Sequence, residues 1–147
     1  MRRRGVIWFA ATAAVVAATD GRVVGYGYTD AAGTKGYGEK RYVDVPIVSQ
    51  TCSGTVDGRD DAPAYSCDKG VEIVAGRPLL ERDSCKGDSG GPFYIKDGAE
   101  WLLAGVTSRS TRGAVHNCGD GGIYTCVDAF MPWISKTLKQ EAGITFP

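Results

Sequence analysis

The segment Asp83-Ser84-Cys85-Lys86-Gly87-Asp88-Ser89-Gly90-Gly91-Pro92 decides how the rest of this chain is interpreted. Three glycines, two aspartates and a proline within ten residues interrupt any helix or regular strand, so a tight irregular loop is predicted. Glycine on each side of Asp88-Ser89 lets the backbone bend until its N–H groups point the same way. A hydroxyl beside such donors is the arrangement that acyl transfer requires, because the donors stabilise the developing oxyanion.

The composition indicates one small all-β domain. The chain has 147 residues, which corresponds to a single domain with a modest core. Its 21 glycines separate short runs of β-branched and aromatic residues, a pattern typical of strands joined by many turns. The 17 basic and 17 acidic side chains give a net charge of zero, so nothing predicts a nucleic-acid partner.

Five cysteines and a single histidine, His116, limit the chemistry further. No pair has Cys-x-x-Cys spacing, so neither a metal site nor a cofactor is predicted. Two disulfides and one free thiol are the simpler interpretation, and they favour an oxidising, extracellular compartment. Cys52 and Cys67 bracket the polar segment 53–66, predicted to be a surface loop; a bridge closing about 15 residues is worth about 3 kcal/mol in the chain-entropy model.

The amino-terminal residues 1–18 allow two interpretations. Arg2-Arg3-Arg4 precede the mostly apolar residues 5–18, as in a secretory leader. Alternatively, these residues are the remnant of a longer amino-terminal half. Residues 19–147 then form the folded domain, and no other segment is predicted to cross a membrane, so no membrane association is expected of the mature form.

The periodicity of the chain places its elements. Period-two or continuous apolar runs predict strands, Asp97-Gly98 predicts a hairpin turn, and Pro46 is expected at a strand end or sheet edge. A terminal helix is predicted to begin with Asp128 as N-cap and to end at Gly143. Its apolar face holds Phe130, Trp133, Ile134 and Leu138. The predicted strands cover 22–28, 42–48, 71–75, 93–95, 101–107 and 123–127.

The run Gly-Asp-Ser-Gly-Gly-Pro at 87–92, with a cysteine two residues upstream, resembles the nucleophile loop of the trypsin-like (chymotrypsin-fold) serine proteases. Residues 25–27 resemble the family's Gly-Trp-Gly strand, with Tyr26 in place of tryptophan. The resemblance runs from about 22 to 138 and covers only the second of the family's two barrels. It implies a single antiparallel Greek-key β-barrel with a C-terminal α-helix. The two positions of a frequent family disulfide hold about Gly21 and Ile95.

The same resemblance implies roles in acyl transfer. Ser89 matches the nucleophile, and the N–H groups of Gly87 and Ser89 match the oxyanion hole. Asp88 matches the aspartate that pairs with a new amino terminus after zymogen cleavage. Without a partner for that carboxylate, the loop is expected to be loose, because an unpaired buried charge is costly.

The resemblance also implies a substrate pocket selective for Arg or Lys. Asp83 matches the aspartate of the pocket floor and Gly122 a glycine of the pocket wall. A Cys85–Cys118 disulfide is implied between the nucleophile loop and that wall. Arg109-Ser110 replace the family's Trp-Gly, so the neighbouring subsites are expected to differ. The implied substrate-binding residues are Asp83, Ser84, Ser108 and Gly122.

The family's histidine base and its aspartate precede everything matched here. His116 follows the nucleophile and is interpreted as a surface histidine, and Cys126 as a buried inert thiol. The first hypothesis is a secreted serine endopeptidase acting on peptide or protein substrates, whose amino-terminal barrel is missing, so that this chain alone is inactive. The alternatives are a non-catalytic peptide-binding module and a degenerate protease with a structural role.

Overall fold

The computed structural model describes residues 19–76 and 82–145. The predicted leader or remnant at 1–18 lies outside the described residues. Within these residues, eight strands and one α-helix follow one another, with a single π-helical turn at Ala62–Ser66 between the fourth and fifth strands. They are β1 (Asp20–Gly25), β2 (Arg41–Ser49), β3 (Thr55–Val56), β4 (Arg59–Asp60), β5 (Glu72–Ala75), β6 (Pro92–Asp97), β7 (Glu100–Ser110), β8 (Gly122–Cys126) and α1 (Val127–Ala142).

Six strands close into an antiparallel barrel in the order β1-β2-β5-β8-β7-β6. The strands β1, β2 and β5 are neighbours in the barrel and occur in that order along the chain. The next strand, β6, returns to pair with β1, which is a Greek-key arrangement. The predicted all-β fold, the Greek-key barrel and the terminal helix are therefore confirmed. Closure leaves no free strand edge within this sheet.

The barrel interior is filled by the inward-facing side chains of alternating strand positions. Phe93 and Tyr124 stack with ring centroids 4.3 Å apart, and both are fully buried. Gly21 pairs with Ile95 across β1 and β6, so the two positions singled out in the sequence lie directly opposite each other. A Cβ on Gly21 would lie 1.9 Å from the Phe93 ring, so the aromatic core needs glycine there.

Two local expectations require correction. Pro46 was expected at a strand end or edge, but β2 continues through it to Ser49. The barrel accommodates the proline because Pro46 lies opposite Asp20, where β1 begins and the ladder ends. The segment 53–66 was expected to be a plain loop, but it contains the short hairpin β3–β4, enclosed by the disulfide Cys52–Cys67.

The helix differs from its prediction at one end and on its apolar face. Its N-cap is Cys126 rather than Asp128, which lies in the first turn, where a carboxylate still interacts favourably with the helix dipole. Gly143 adopts the left-handed conformation and ends the helix as predicted. Phe130 and Trp133 are 39% and 63% exposed, so residues 19–76 and 82–145 leave much of this face uncovered. Within the same residues, no helix is both long and apolar enough to span a membrane.

Candidate active site

The residues before Ser89 form a tight turn whose orientation is fixed from outside. Asp88 N–H donates to Cys85 O at 3.0 Å, and Gly87 has φ = +97°, as the third residue of a type II turn requires. Tyr28 N–H donates to Lys86 O at 3.0 Å. Because the C=O and N–H of one trans peptide point in opposite directions, this bond turns Gly87 N–H away from Tyr28.

The Asp88 carboxylate is bound within the chain. Gly27 N–H donates to one of its oxygens and Cys85 N–H to the other, each at 2.8 Å. A Cβ on Gly25 would lie 1.9 Å from Asp88 Oδ1, so the carboxylate packs directly against the backbone of β1. The expected loose loop depended on an unpartnered carboxylate, whereas here both oxygens accept hydrogen bonds.

Ser89 lies at the surface of the loop and lines a cavity of about 170 Å³, which we call the Ser89 cavity. The loop is anchored just after Ser89, because Gly90 N–H donates to Thr107 O and Thr107 N–H donates to Gly91 O, each at 2.9 Å. These bonds hold the nucleophile candidate against β7. The other residues lining the Ser89 cavity are Ser84, Cys85, Lys86, Thr107, Ser108, Arg109, Ser110, His116 and Asn117.

Asp83 is not among the residues that line the Ser89 cavity. It is 8% exposed, and its two carboxylate oxygens accept hydrogen bonds from Gly119 N–H and Gly121 N–H at 2.6 Å each. Burial raises the pKa of Asp83, and these two bonds only partly oppose that effect. Asp83 instead lines a second cavity of about 170 Å³ together with Asp88, and Cys85 lines both cavities.

The structure therefore groups the site residues into two sets. Ser84, Ser89 and Ser108 surround the Ser89 cavity. Asp83 and Asp88 line the second cavity, which shares Cys85 with the first. The disulfide Cys85–Cys118 joins the nucleophile loop to the loop that carries the donors to Asp83.

Gly122 lies next to the hydroxyls of Tyr124 and Ser84. Tyr124 is a residue that the sequence analysis did not single out. Tyr124 O–H donates to Ser84 Oγ at 3.3 Å, and burial raises the pKa of the Tyr124 hydroxyl. A Cβ on Gly122 would lie 2.7 Å from that hydroxyl and 3.0 Å from Ser84 Oγ. The sequence could have indicated the proximity of Gly122 and Tyr124, because residues two positions apart in one strand point to the same face of the sheet.

Two pairs of ionisable side chains flank the Ser89 cavity. His116 Nδ1 lies 3.0 Å from Asp120 Oδ2, which also accepts the N–H groups of Val115 and His116 at 2.8 Å each. The His116 side chain is 53% exposed, in keeping with a surface loop. Hydrogen bonds from the backbone N–H groups of His116 and then Val115 are the largest effects that lower the pKa of Asp120.

The second pair is Arg109 with Glu72. The guanidinium donates to both carboxylate oxygens, at 2.5 and 2.8 Å, and to Ser66 O at 2.9 Å. Burial acts to raise the pKa of Glu72, but the bonds from Arg109 and Asp68 N–H outweigh it and hold that pKa below its usual value. Arg109, which stands where the family usually has tryptophan, is thus held against β5.

Comparison with known proteins decides the assignment. The family model described as Trypsin matches residues 4–134. The chain belongs to the trypsin family. The matched range includes residues 4–21, upstream of the motifs recognised in the sequence.

Three curated relatives illustrate the relationship. Complement C1r-A subcomponent of Mus musculus is 30% identical over 125 residues, 82% of this chain. Transmembrane protease serine 7 of Mus musculus is 33% identical over 78% of the chain, and urokinase-type plasminogen activator of Gallus gallus is 32% identical over 71%. The aligned residues span 16%, 13% and 25% of these relatives' own lengths.

Proposed function

We propose that this trypsin-family chain is the nucleophile-bearing and substrate-binding barrel of a secreted serine endopeptidase that cleaves after Arg or Lys. In this proposal Ser89 is the nucleophile, and Gly87 and Ser89 N–H form the oxyanion hole. The general base is supplied by an amino-terminal barrel outside the described residues. The names of the matched relatives, two of which are a protease and a plasminogen activator, support a protein substrate.

The observation that carries the proposal is the orientation of the Lys86–Gly87 peptide next to an exposed Ser89. The Tyr28 N–H bond to Lys86 O aims Gly87 N–H in the opposite direction. Within the described residues, neither Gly87 N–H nor Ser89 N–H donates to a protein acceptor. Two free donors beside a hydroxyl match the requirement of an oxyanion hole, where one donor is worth about 100- to 1000-fold in rate.

We assign selectivity for a cationic side chain to the carboxylate of Asp83, although Asp83 does not itself line the Ser89 cavity. Ser84 and Cys85, the next two residues, line the Ser89 cavity, and Asp83 itself is buried. The raised pKa of Asp83 reflects its burial, and a bound cation would favour the ionised carboxylate. Gly122 and Tyr124 hold Ser84 in place within this wall.

The base is assigned to another segment because the one histidine present is engaged elsewhere. His116 lines the Ser89 cavity, but its bond is to Asp120, and no hydrogen bond joins it to Ser89 among the described residues. A serine hydroxyl without an adjacent base is a weak nucleophile. We therefore expect the 147-residue chain to be inactive when it is isolated.

The test compares the isolated chain with a longer chain that includes the proposed amino-terminal barrel. Labelling by an arginine-like phosphonate is measured by intact mass, with Ser89→Ala as the control. The proposal expects no labelling of the short chain and stoichiometric labelling of Ser89 in the long one. Stoichiometric labelling of the short chain that is lost in His116→Gln would contradict the assignment of the base.

A second candidate function, a non-catalytic peptide-binding module, is favoured if the cavity binds arginine but no upstream barrel exists. Mass mapping of the native secreted product decides this point, since it fixes the true amino terminus. A product that begins within residues 1–22 and binds N-acetyl-argininamide without ever labelling would favour the binding module. A longer product that labels at Ser89 would favour the endopeptidase.

A further inference from the structure

A separate cavity lies where β2 continues into the loop closed by Cys52–Cys67, and we call it the Asp61 cavity. Its volume is about 390 Å³, and it shares no lining residue with the Ser89 cavity or with the cavity at Asp83 and Asp88. Two aliphatic side chains and several hydroxyls surround a single carboxylate. The lining residues are Ile47, Val48, Ser49, Gln50, Thr51, Ser53, Gly54, Thr55 and Asp61.

The Asp61 carboxylate is buried but has one oxygen left for a ligand. Asp61 is 3% exposed, and Gly54 N–H donates to its Oδ2 at 3.0 Å. Oδ1 accepts no hydrogen bond from the described residues, and it is not among their fully enclosed polar atoms without a partner. An atom without a partner that is not fully enclosed retains accessible surface, so Oδ1 is reached from the cavity that Asp61 lines.

The backbone around Asp61 is held from both sides. Asp61 N–H donates to Gly54 O at 3.0 Å, the reciprocal of the bond that its carboxylate accepts. The ladder between β3 and β4 pairs Thr55 with Asp60, the residue before Asp61. Cys52, which closes the loop, is 1% exposed. A ligand therefore meets a preorganised wall and does not have to order the loop on binding.

The charges at this cavity favour a cation. An ionised carboxylate accepts about four hydrogen bonds, and Asp61 accepts one from the residues that the structure describes. A buried charge with incomplete pairing is costly, so a cationic donor at Oδ1 is stabilising. The hairpin segment also carries Asp57 and Asp60 against one cation, Arg59. The hydroxyls of Thr51 and Ser53, 2.6 Å apart, retain lone pairs as further acceptors.

The size and lining of the cavity favour an organic cation over a metal ion. Calcium takes six to eight oxygen ligands, usually with several carboxylates, and no cluster of three metal-binding side chains occurs within residues 19–76 and 82–145. The volume is many times the roughly 30 Å³ that one water molecule occupies in the liquid. Ile47 and Val48 are half-buried and offer apolar surface to an aliphatic stem.

We propose that the Asp61 cavity binds a primary ammonium at the end of an aliphatic stem, as carried by a lysine side chain of a partner protein or by a free diamine. The ammonium pairs with Asp61 Oδ1, and its other two N–H donors face the hydroxyl-lined walls. The stem packs on Ile47 and Val48. This binding requires neither the nucleophile nor a general base, so it is independent of the proposed function.

The test follows the Gly54 amide by NMR during titration of the full 147-residue chain, since Gly54 N–H is bonded to the Asp61 carboxylate. The probe is n-butylammonium, and 1-butanol is its neutral counterpart of similar shape. We expect butylammonium to bind at least about tenfold more tightly, as a hydrogen bond between charged groups provides. Methylammonium lacks the stem and is expected to bind about three- to tenfold more weakly than butylammonium.

Asp61→Asn is expected to abolish the preference for the ammonium, because the amide oxygen still accepts from Gly54 N–H but carries no charge. Asp60→Asn is the matched control, since Asp60 is exposed and does not line the cavity, and its affinity should stay within about twofold of wild type. If wild type binds butylammonium and butanol equally, the inference is wrong, whether or not Asp61→Asn folds. Calcium chloride that shifts Gly54 at a lower concentration than butylammonium would assign a metal site and also overturn it.

N-acetyl-lysinamide and cadaverine distinguish the two sources of the ammonium. Cadaverine carries a second charge that can approach Asp57 or Asp60, whereas the lysine derivative presents one ammonium. Tighter binding of N-acetyl-lysinamide supports a protein partner, and tighter binding of cadaverine supports a free diamine. The Gly91 amide is followed in the same spectra as a reporter of the nucleophile loop. Shifts at Gly91 without shifts at Gly54 would overturn this inference and leave the proposed function intact.

Discussion

The backbone N–H of Tyr28 donates to the carbonyl oxygen of Lys86 across 58 positions of sequence, at 3.0 Å. This single bond sets the direction of the peptide that carries Gly87 N–H. The segment that follows β1 therefore controls the geometry of the loop that presents Ser89. Gly27 N–H, one residue earlier, holds the Asp88 carboxylate at 2.8 Å, so the same short segment contacts both sides of the turn.

Gly87→Ala should disturb this turn. The substitution places a Cβ at φ = +97° and 3.1 Å from both Gly27 Cα and the Tyr37 ring. We expect a loss of about 2–3 kcal/mol in the free energy of unfolding, measured in urea, from backbone strain and crowding. Gly98→Ala is the control, because its φ is also positive but no atom lies within 4 Å of the added Cβ. If the two variants lose equal free energies of unfolding, the contacts of the added Cβ with Gly27 and Tyr37 contribute nothing to the loss.

Gly122→Ala should alter the Ser89 cavity by displacing Ser84, which lines it. The added Cβ would lie 2.7 Å from the Tyr124 hydroxyl and 3.0 Å from Ser84 Oγ, so the Tyr124–Ser84 bond must shift. We expect binding of N-acetyl-argininamide to weaken at least tenfold, with a loss of stability of about 1–3 kcal/mol.

Gly54→Ala is the matched control for that effect. Its Cβ would also be crowded, at 2.9 Å from Asp61 Oδ2, but Gly54 lines a different cavity. A loss of stability without a change in ligand affinity is expected. Unchanged affinity in Gly122→Ala would contradict the assignment of this wall to the substrate pocket.

Arg109→Gln should destabilise the fold in a pH-dependent manner. The Glu72 side chain is 7% exposed and would remain as a buried carboxylate without its guanidinium. We expect a loss of about 2 kcal/mol at pH 7, less than for a fully buried pair because the Arg109 side chain is 42% exposed.

The sign of the pH dependence follows from the pKa of Glu72. Its folded pKa lies below the ordinary value of 4.5, so the pair stabilises the fold above that pH. The stabilisation is lost as the pH falls through the folded pKa, and the difference between variant and wild type should disappear there. Urea unfolding from pH 7 to pH 3 measures it, with the exposed Arg112→Gln as control. A difference that is constant over this range would show that the charge of Glu72 is not involved.

The apolar face of α1 should bind a hydrophobic dye in the isolated chain. Trp133 and Phe130 are exposed, and a contiguous apolar patch of this kind favours dye binding. We expect Trp133→Gln to reduce the fluorescence of a bound naphthalene sulfonate dye without lowering the free energy of unfolding. Trp101→Gln is the control, since Trp101 is also exposed, at 41%, but lies on β7 outside the apolar face of α1. Dye binding by the wild-type chain no greater than by an intact two-barrel protease would contradict this prediction.

The barrel itself was predictable because strand formation depends on local pattern. Alternating apolar residues, Asp97-Gly98 at the β6–β7 hairpin and Gly143 at the helix end all act within a few residues, and each was found where the pattern places it. Pro46 and the N-cap at Cys126 were mispredicted, because the closed barrel and the end of β8 override local preference there. The positions Gly21 and Ile95 were predicted only through family resemblance, and their register confirms that they are opposite.

The amino-acid sequence by itself determined the class of fold, the loop at 83–92 and the residue types available for acyl transfer, because backbone bending and side-chain chemistry are local properties. Only the tertiary structure decided that Asp83 and Ser89 line different cavities and that Tyr28 orients the Lys86–Gly87 peptide. It also decided that the Thr107 hydroxyl is buried without a partner among the residues that the structure describes. The hydrogen bonds and the burial on which those relationships depend exist only after the strands have paired.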